Sequence, residues 1–254
     1  MTAHSARVVV IIPARYASQR LPAKPLADIG GKPMIQHVWE RVQRARSVDA
    51  ILVATDDERI ASAVRRFGGN VVMTPTNCRS GTDRIAHAAH DLPDADIVVN
   101  VQGDEPLLEP FMIDEAVRPV REREDVVVAT LVRQIESDDD LRNPGIVKVV
   151  LDCNGRCLYF SRAAIPFGRD VAGREWVGHH VYYKHIGLYV FRREMLIRYE
   201  TMQQTPLELM EKLEQLRILE YGYSILGVVT QGDSVPVDTH DDLQRVRTLI
   251  AQAS

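Results

Sequence analysis

Three positive side chains share one loop near the start of the chain. Arg15, Arg20 and Lys24 lie in the segment Pro13–Leu26, directly after the apolar run Arg7–Pro13, which predicts a buried strand. Three cations in one loop need counter-charge, which the roughly four negative charges of a triphosphate supply, and backbone N–H groups of the turn add anion contacts. The spacing of a Walker A loop is absent. The pattern favours a phosphate-binding loop, and a solvated basic loop is the alternative.

Two carboxylates that are far apart in the sequence both follow predicted strands. Asp104 comes after Asp96–Val101 and next to Gly103, a residue that lets the backbone approach a ligand closely. Asp238 follows the short run Ser234–Val237. Mg²⁺ is usually held by one or two carboxylates together with water and phosphate oxygens. Because ligands bind beyond the carboxyl ends of parallel strands, the two residues predict a magnesium site; helix-terminal carboxylates are the alternative.

A third loop, Arg79–Arg84, carries hydroxyl groups and a glycine where a helix is expected to begin. The hydroxyl of Ser80 and the backbone at Gly81 suit recognition of a base edge or a ribose. The same segment is also a capping-box pattern, with Asp83 three residues after Ser80. On these residues alone, the capping role is the favoured interpretation.

The elements that must position these loops alternate along the first half of the chain. Short apolar runs alternate with amphipathic segments, which is typical of βαβ units and a parallel sheet. The predicted strands are Arg7–Pro13, Ala50–Thr55, Asn70–Thr74, Asp96–Val101 and Val126–Val132. The predicted helices are Pro33–Arg46, one with Ile60, Val64 and Phe67 on its inner face, one that opens near Ser80, and one from Pro110.

The second half of the chain departs from this alternation. Val147–Asp152 and Arg156–Phe160 flank Asn154-Gly155, a two-residue hairpin signal. The remaining predicted elements are a strand Lys184–Arg192, a helix Pro206–Tyr221 with Leu209, Leu213 and Leu216 inward, a strand Ser224–Val229, and a last helix capped by Thr239. We expect one α/β domain over 1–254 with a doubly wound, mostly parallel, Rossmann-like sheet and an inserted β-rich subdomain at about 140–195.

The composition is that of a globular protein that folds without disulfides. Apolar residues make up 45% and charged residues 26%, and the formal net charge of −4 gives no support to a nucleic-acid-binding surface. The three cysteines, Cys78, Cys153 and Cys157, fit neither a disulfide framework nor a zinc site. No apolar run approaches the roughly 20 residues that span a bilayer, and the N-terminal residues lack the apolar core of a signal peptide. We therefore expect a cytoplasmic protein without nucleic-acid or membrane partners.

Several segments taken together resemble the 3-deoxy-manno-octulosonate cytidylyltransferase family, also called CMP-Kdo synthetases. They are PARYASQRLPAKPL, SGTDR, VNVQGDEP, NPGIVKVV, LYFSRAAIP, HIGLYVF, PLELMEKLEQLR and VDTHDDL, and they span Val8 to about Arg247. Many sugar nucleotidyltransferases share the first segment, whereas LYFSR, HIGLY and LEQLR in this order are more specific. His240 stands where the family pattern has proline, but the carboxylate at Asp238 is kept.

The resemblance implies a nucleotidyltransferase fold and transfer of CMP from CTP to 3-deoxy-D-manno-octulosonate (Kdo), an acidic eight-carbon sugar used in lipopolysaccharide biosynthesis. It also implies Mg²⁺ as the cofactor and a homodimer. The catalytic residues that it implies are Arg15, Lys24, Asp104 and Asp238, with the two aspartates binding the metal. The nucleotide-binding residues that it implies are Pro13, Ala14, Arg15, Arg20, Lys24, Ser80, Gly81, Arg84 and Gln102. The sugar-binding residues that it implies are Gln102, Arg162, His185, Tyr189, Glu214 and Gln215.

The chemistry of the implied sugar site fits these side chains. The Arg162 guanidinium can pair with the sugar carboxylate. His185 and Tyr189 are four residues apart, and an even spacing on a strand places both on one face, although half-buried strand residues are an alternative explanation. Two other functions stay open at this point. One is transfer to sialic acid or to the 8-amino relative of Kdo, and the other is a nucleotide-binding regulator without turnover.

Overall fold

The computed structural model describes residues 6–17, 21–171 and 175–253 of the chain. Its strands are β1 (Val8–Ala14), β2 (Asp28–Ile29), β3 (Lys32–Pro33), β4 (Ala50–Thr55), β5 (Asn70–Met73), β6 (Ile97–Asn100), β7 (Val128–Gln134), β8 (Lys148–Leu151), β9 (Cys157–Ser161), β10 (Tyr183–Arg192) and β11 (Leu226–Val229). Its α-helices are α1 (Met34–Val42), α2 (Glu58–Arg66), α3 (Gly81–Ala89), α4 (Pro110–Glu122), α5 (Asp138–Arg142), α6 (Arg193–Thr201), α7 (Pro206–Glu211), α8 (Gln215–Glu220) and α9 (His240–Ala253).

Among the described residues, nine strands form one sheet, and β2 and β3 form a separate small antiparallel pair. The main path of the sheet runs β11-β7-β10-β6-β1-β4-β5, with β8 and β9 to one side. β1 pairs in parallel with β4 and β6, β4 with β5, and β11 with β7. The predicted mostly parallel α/β fold is confirmed.

The first strand is buried on both faces of the sheet. All seven residues of β1 are buried. Val8, Val10 and Ile12 pack into one core cluster, while Val9 and Ile11 pack into the cluster on the opposite face. Because side chains alternate along a strand, a continuous apolar run belongs in a sheet that is covered by helices on both faces. The doubly wound arrangement follows from this pattern.

The segment predicted as a β-rich insertion contributes its last strand to the main sheet. β10 lies between β6 and β7 and is antiparallel to both. β8 pairs with β10 and with β9, so the predicted hairpin extends the sheet at this point. The division of the chain into a core and an inserted subdomain stays a prediction.

The predicted helix over Pro206–Tyr221 is wrong as one continuous element. The chain forms α7 and α8, and Lys212 between them has a left-handed backbone with φ 56°. The break changes which side chains face inward. Leu213 and Leu216 are buried as predicted, but Leu209 is 46% exposed.

No helix in the described part of the chain is both long enough and apolar enough to cross a membrane.

Candidate active site

A cavity of about 1090 Å³ opens at the carboxyl ends of β1 and β6. The loops after these two strands line it, together with the start of α3, the break between α7 and α8, and Asp238 shortly before α9. Twelve residues predicted from the sequence line this cavity: Pro13, Ala14, Arg15, Lys24, Ser80, Gly81, Arg84, Gln102, Asp104, Glu214, Gln215 and Asp238. The topology therefore brings together segments that lie more than a hundred residues apart.

Asp104 and Asp238 meet at a single ammonium group. Lys24 Nζ lies 2.6 Å from Asp104 Oδ2 and 3.0 Å from Asp238 Oδ1. The strand predicted over Ser234–Val237 is wrong, since the described chain forms no strand there. The segment is held instead by the backbone N–H of Val237, which donates to the carbonyl oxygen of Asp104 at 2.9 Å and fixes the two loops side by side. Burial lowers the pKa of Lys24, but the two ion pairs outweigh it, so the pKa lies above its ordinary value. The lysine is held charged between the carboxylates.

The loop after β6 approaches the first strand so closely that only glycine fits. A Cβ atom at Gly103 would lie 2.9 Å from the carbonyl oxygen of Pro13. Such a contact leaves no room for any side chain. Gly103 therefore sets the spacing between the basic loop and Asp104.

The basic loop is described only in part. Arg15 is exposed and lines the cavity, and Lys24 begins a short 3-10 turn after Ala23, whose backbone is left-handed with φ 55°. The Arg59 guanidinium of α2 stacks 3.3 Å from the ring centroid of Tyr16 and holds the outer part of the loop. Arg20 lies outside the described residues, so its predicted phosphate contact stays a prediction.

The loop at the start of α3 has the capping role that the sequence favours, and its predicted contact with a base or ribose stays a prediction. Ser80 is the N-cap, and its hydroxyl accepts from the backbone N–H of Asp83 at 3.0 Å. Ser80 and Gly81 also line the cavity. A Cβ at Gly81 would lie 3.3 Å from Pro13 Cγ, so the start of α3 packs close to the basic loop.

Arg84 is a buried cation whose side chain is already engaged. It is 3% exposed, and its guanidinium donates to Thr74 Oγ1 and, at 3.0 Å, to Asp56 Oδ2. These contacts tie α3 to the loops after β4 and β5. The predicted contact of Arg84 with a nucleoside stays a prediction, although the residue does line the cavity.

Glu214 and Gln215 are carried into the cavity wall by the α7–α8 break. Thr82 Oγ1 donates to Glu214 Oε1 at 2.6 Å. Glu214 Oε2 and Gln215 Nε2 are buried and find no partner among the described residues. Burial raises the pKa of Glu214, and interactions with the hydroxyls of Thr82 and Ser80 oppose this. Two unsatisfied polar atoms in a cavity wall are typical of groups that bind a polar ligand.

His185 and Tyr189 lie behind this wall and do not line the main cavity. Their ring centroids are 5.2 Å apart, so both side chains lie on one face of β10, as the spacing predicts. Tyr189 is 4% exposed, and its hydroxyl has no partner in the described part of the chain. Burial lowers the pKa of His185 to about 3, and its Nε2 lies 3.0 Å from Thr130 Oγ1.

Among the predicted sugar-binding residues, Arg162 already uses the most of its hydrogen-bond donors within the chain. Its Nε donates to the carbonyl oxygen of Glu211 at 3.0 Å, and its Nη1 donates to the carbonyl oxygen of Pro144 at 3.0 Å. It does not line the cavity described above. A contact with the sugar carboxylate would use the donors that remain on the guanidinium, and that contact stays a prediction.

Sequence reasoning missed four buried polar residues that support the site. They are Thr82, Asn100, Glu208 and Arg217. Arg217 is fully buried, donates to Glu208 at 2.8 and 2.5 Å, and pairs with Asp83 at 3.2 Å. Of the four, only Asn100 stands as a polar residue inside an apolar run, so the sequence offers a signal for that residue alone.

The family model of cytidylyltransferases matches residues 9–225. A 3-deoxy-manno-octulosonate cytidylyltransferase of Geobacter metallireducens is 51% identical over 249 residues, covering 94% of this chain and 96% of that protein. The chain belongs to the 3-deoxy-manno-octulosonate cytidylyltransferase family. Another family member, from Syntrophus aciditrophicus, is 51% identical over 246 residues, covering 96% of this chain and 97% of its own length.

A solved structure of the same family agrees over almost the whole chain. It is described as CMP:2-keto-3-deoxy-manno-octonic acid synthetase complexed with CTP, is 41% identical, and covers 98% of this chain and 100% of its own, with a TM-score of 0.91. A 4-diphosphocytidyl-2C-methyl-D-erythritol synthase from Anaerococcus prevotii is only 10% identical, with a TM-score of 0.63. The second likeness shows the fold alone, which is wider than the family.

Proposed function

We propose that the chain transfers CMP from CTP to Kdo and releases pyrophosphate. It is an enzyme of the 3-deoxy-manno-octulosonate cytidylyltransferase family, and its product serves lipopolysaccharide biosynthesis. The observation that carries the assignment of its site is the meeting of Asp104 and Asp238 at Lys24, inside the cavity lined by the basic loop.

The two aspartates fit a divalent cation. Cytidylyltransferases of this kind generally use a divalent metal, and we propose that it is Mg²⁺ here. The carboxylates of Asp104 and Asp238 already hold one cationic group, Lys24 Nζ, between them. No group of three or more His, Cys, Asp or Glu side chains in the described chain could hold a metal ion. A hard cation with two protein carboxylates takes its other ligands from water and phosphate, which suits an ion that binds together with the nucleotide.

The positive groups of the first loop are proposed to hold the triphosphate. Arg15, Arg20 and Lys24 supply three charges, and the start of α3 with Ser80 and Gly81 faces the same cavity. When bound, the divalent ion would neutralise phosphate charge as pyrophosphate leaves. Fixed positive groups are most effective where negative charge develops, because they need no reorganisation during the reaction.

The opposite wall of the cavity is proposed to hold the sugar. Gln102, Glu214 and Gln215 offer amide and carboxylate groups to sugar hydroxyls. Arg162, His185 and Tyr189 lie behind or beside this wall, and we propose that they complete the pocket around the sugar. The two substrates would then meet between the basic loop and the α7–α8 break.

The reaction is one displacement at phosphorus. The anomeric hydroxyl oxygen of Kdo forms a bond to the α-phosphorus of CTP, the bond from that phosphorus to the bridging oxygen of pyrophosphate breaks, and the hydroxyl proton is lost. No side-chain nucleophile takes part. The chain contributes by holding the two substrates in line, since orientation alone removes much of the barrier of a two-substrate reaction.

A substrate panel tests this function. Pyrophosphate release is measured with CTP or UTP, each combined with Kdo, 8-amino Kdo or sialic acid. We expect the highest kcat/KM with CTP and Kdo. Faster release with sialic acid or 8-amino Kdo would reassign the sugar. Binding of CTP in a calorimeter without pyrophosphate from any acidic sugar would indicate a nucleotide-binding regulator.

A further inference from the structure

A row of hydrogen bonds runs beneath the cavity and joins Gln102 to Glu214, two residues of the proposed sugar wall. Gln102 Nε2 donates to Asn100 Oδ1 at 3.1 Å, and Asn100 Nδ2 donates to Thr82 Oγ1 at 3.3 Å. Thr82 Oγ1 in turn donates to Glu214 Oε1 at 2.6 Å. Gln102 and Glu214 line the cavity, whereas Thr82 and Asn100 do not. The inner pair therefore connects two side chains that face the cavity.

The direction of each bond follows from the hydroxyl of Thr82. Its single proton is donated to Glu214 Oε1. Thr82 must then accept from the NH₂ group of Asn100, and the amide oxygen of Asn100 is left to accept from Gln102. Thr82 is 2% exposed and Asn100 is fully buried, so water cannot take over either role.

A separate ion pair holds the same two helices together. Arg217 of α8 pairs with Asp83 of α3 at 3.2 Å and with Glu208 of α7 at 2.5 Å. The packing of α8 against α3 therefore does not depend on the hydroxyl of Thr82. Removal of that hydroxyl is expected to loosen the side chain of Glu214, which then keeps only its interaction with Ser80, while the helices stay in place.

We propose that Thr82 is a positioning residue that fixes the side chain of Glu214 for binding of the acidic sugar. Its hydroxyl holds Oε1, which leaves the buried and unpartnered Oε2 to accept from a sugar hydroxyl. This inference rests on the proposed function, because it takes Glu214 as part of the sugar wall. The proposal adds Thr82, a residue that does not line the cavity itself.

Two substitutions of Thr82 separate this role from packing. Thr82→Val keeps the shape and loses the hydroxyl, whereas Thr82→Ser keeps the hydroxyl and loses a methyl group. At saturating CTP we expect Thr82→Val to raise the KM for Kdo about tenfold, because a hydrogen bond to a charged group is lost. The KM for CTP should stay within about twofold of wild type, and Thr82→Ser should resemble wild type in both constants.

A double variant asks whether Thr82 acts through Glu214. In a Glu214→Ala background, Thr82→Val should raise the KM for Kdo by no more than about twofold, since effects of residues in one network are not additive. Melting temperatures of all variants show whether they fold. If the valine variant does not fold, Thr82→Ala, which also lacks the hydroxyl, replaces it in the same comparison with serine.

The outcomes distinguish the role of Thr82 from the proposed function. An active wild type in which valine and serine at residue 82 give the same KM for Kdo refutes the positioning role. A serine variant that is weaker than the valine variant shows that Thr82 serves packing and also refutes it. A folded wild type that releases no pyrophosphate with Kdo refutes the proposed function instead.

Discussion

At the scale of single residues, Lys24 decides the charge balance of the site. Its side chain is 15% exposed, and its ammonium lies within hydrogen-bond distance of two carboxylates. Its positive charge offsets the negative charges of both Asp104 and Asp238. The lysine thus keeps the two loops together before the substrates arrive, and we propose that it contacts the triphosphate afterwards.

Replacement of Lys24 by methionine should lower kcat/KM for CTP by about 10²-fold or more, because one fixed charge near the transferred phosphate is lost. Initial rates over a range of CTP concentrations measure this. Lys32→Met is the matched control, since Lys32 is an exposed lysine that pairs with Glu40 away from the cavity. If the Lys24 variant has the same kcat/KM as the Lys32 variant, Lys24 has no role in the reaction with CTP.

The imidazole of His185, a half-buried residue of β10, leads to a prediction about pH. Its pKa is lowered by burial from 6.5 to about 3, so between these values the unfolded chain binds a proton that the folded chain does not. Stability from the neutral ring is present above about pH 6.5 and is lost as the pH falls. Relative to His185→Gln, the free energy of unfolding of wild type should fall by up to about 1.4 kcal/mol per pH unit. Denaturant titrations from pH 7 to 4 measure the difference.

The control for this prediction is the exposed His179. A His179→Gln variant should follow the wild-type pH profile. If wild type and His185→Gln keep a constant difference in free energy of unfolding from pH 7 to 4, the ring of His185 is not held neutral by the fold.

Charge and spacing at single residues predicted twelve of the residues that line the cavity, whereas the residues beneath it could not be predicted. Asp104 could be predicted because it follows β6, and residues that follow parallel strands share one edge of the sheet. The strand expected before Asp238 is wrong, and the described chain places this residue beside Asp104 without one. Thr82 and Asn100 could not be assigned a role, because their importance depends on which atoms they touch. A hydroxyl in a capping pattern has the same appearance in the sequence whether or not it supports a ligand-facing side chain.

At the scale of elements, the break between α7 and α8 shapes the sugar wall. The backbone N–H of Lys212 bonds to the carbonyl oxygen of Glu208, and the left-handed residue turns the chain so that Glu214 and Gln215 reach the cavity. The leucine spacing predicted one helix, since residues three and four apart lie on one helical face. No glycine or proline marks the break, so the sequence carries no local signal for it.

The left-handed backbone at Lys212 gives a stability prediction. Side chains other than glycine are strained in this conformation by roughly 1–2 kcal/mol. Lys212→Gly should therefore be more stable than Lys212→Ala by about 1 kcal/mol, after the greater freedom of glycine in the unfolded chain is allowed for. Urea titrations of both variants and wild type measure this. An alanine variant as stable as the glycine variant would show that the left-handed turn is not retained.

The parallel half of the sheet was predictable, and the place of β10 was not. Apolar runs such as β1 and β4 alternate with amphipathic helices, and few folds other than a parallel α/β sheet show this pattern. The strand β10 pairs with β6, which lies about 90 residues earlier, and with β7. Such long-range pairing depends on the side chains of all three strands, which no local pattern records.

At the scale of the whole molecule, the predicted homodimer can be tested by size. One chain has a mass of 28.6 kDa. Sedimentation equilibrium should give twice this mass at micromolar concentration. A mass of one chain over the whole concentration range would contradict the predicted dimer and would leave the proposed activity of each chain intact.

Also at this scale, the site exists only because three distant segments meet. The basic loop, the loop after β6 and the segment before α9 contribute Lys24, Asp104 and Asp238, and neither a single motif nor a single element contains them all. The proposed function depends on this meeting more than on any other feature of the molecule.

The most direct test of this dependence is CMP-Kdo formation from CTP and Kdo at saturating Mg²⁺ by wild type, Asp104→Asn, Asp238→Asn and the exposed control Asp241→Asn. We expect wild type and the control to have the same rate. Each of the other two variants, shown to be folded by its melting temperature, should lose about 10²-fold or more of the rate. Near-normal turnover by either Asp104→Asn or Asp238→Asn would contradict the proposed role of these two carboxylates.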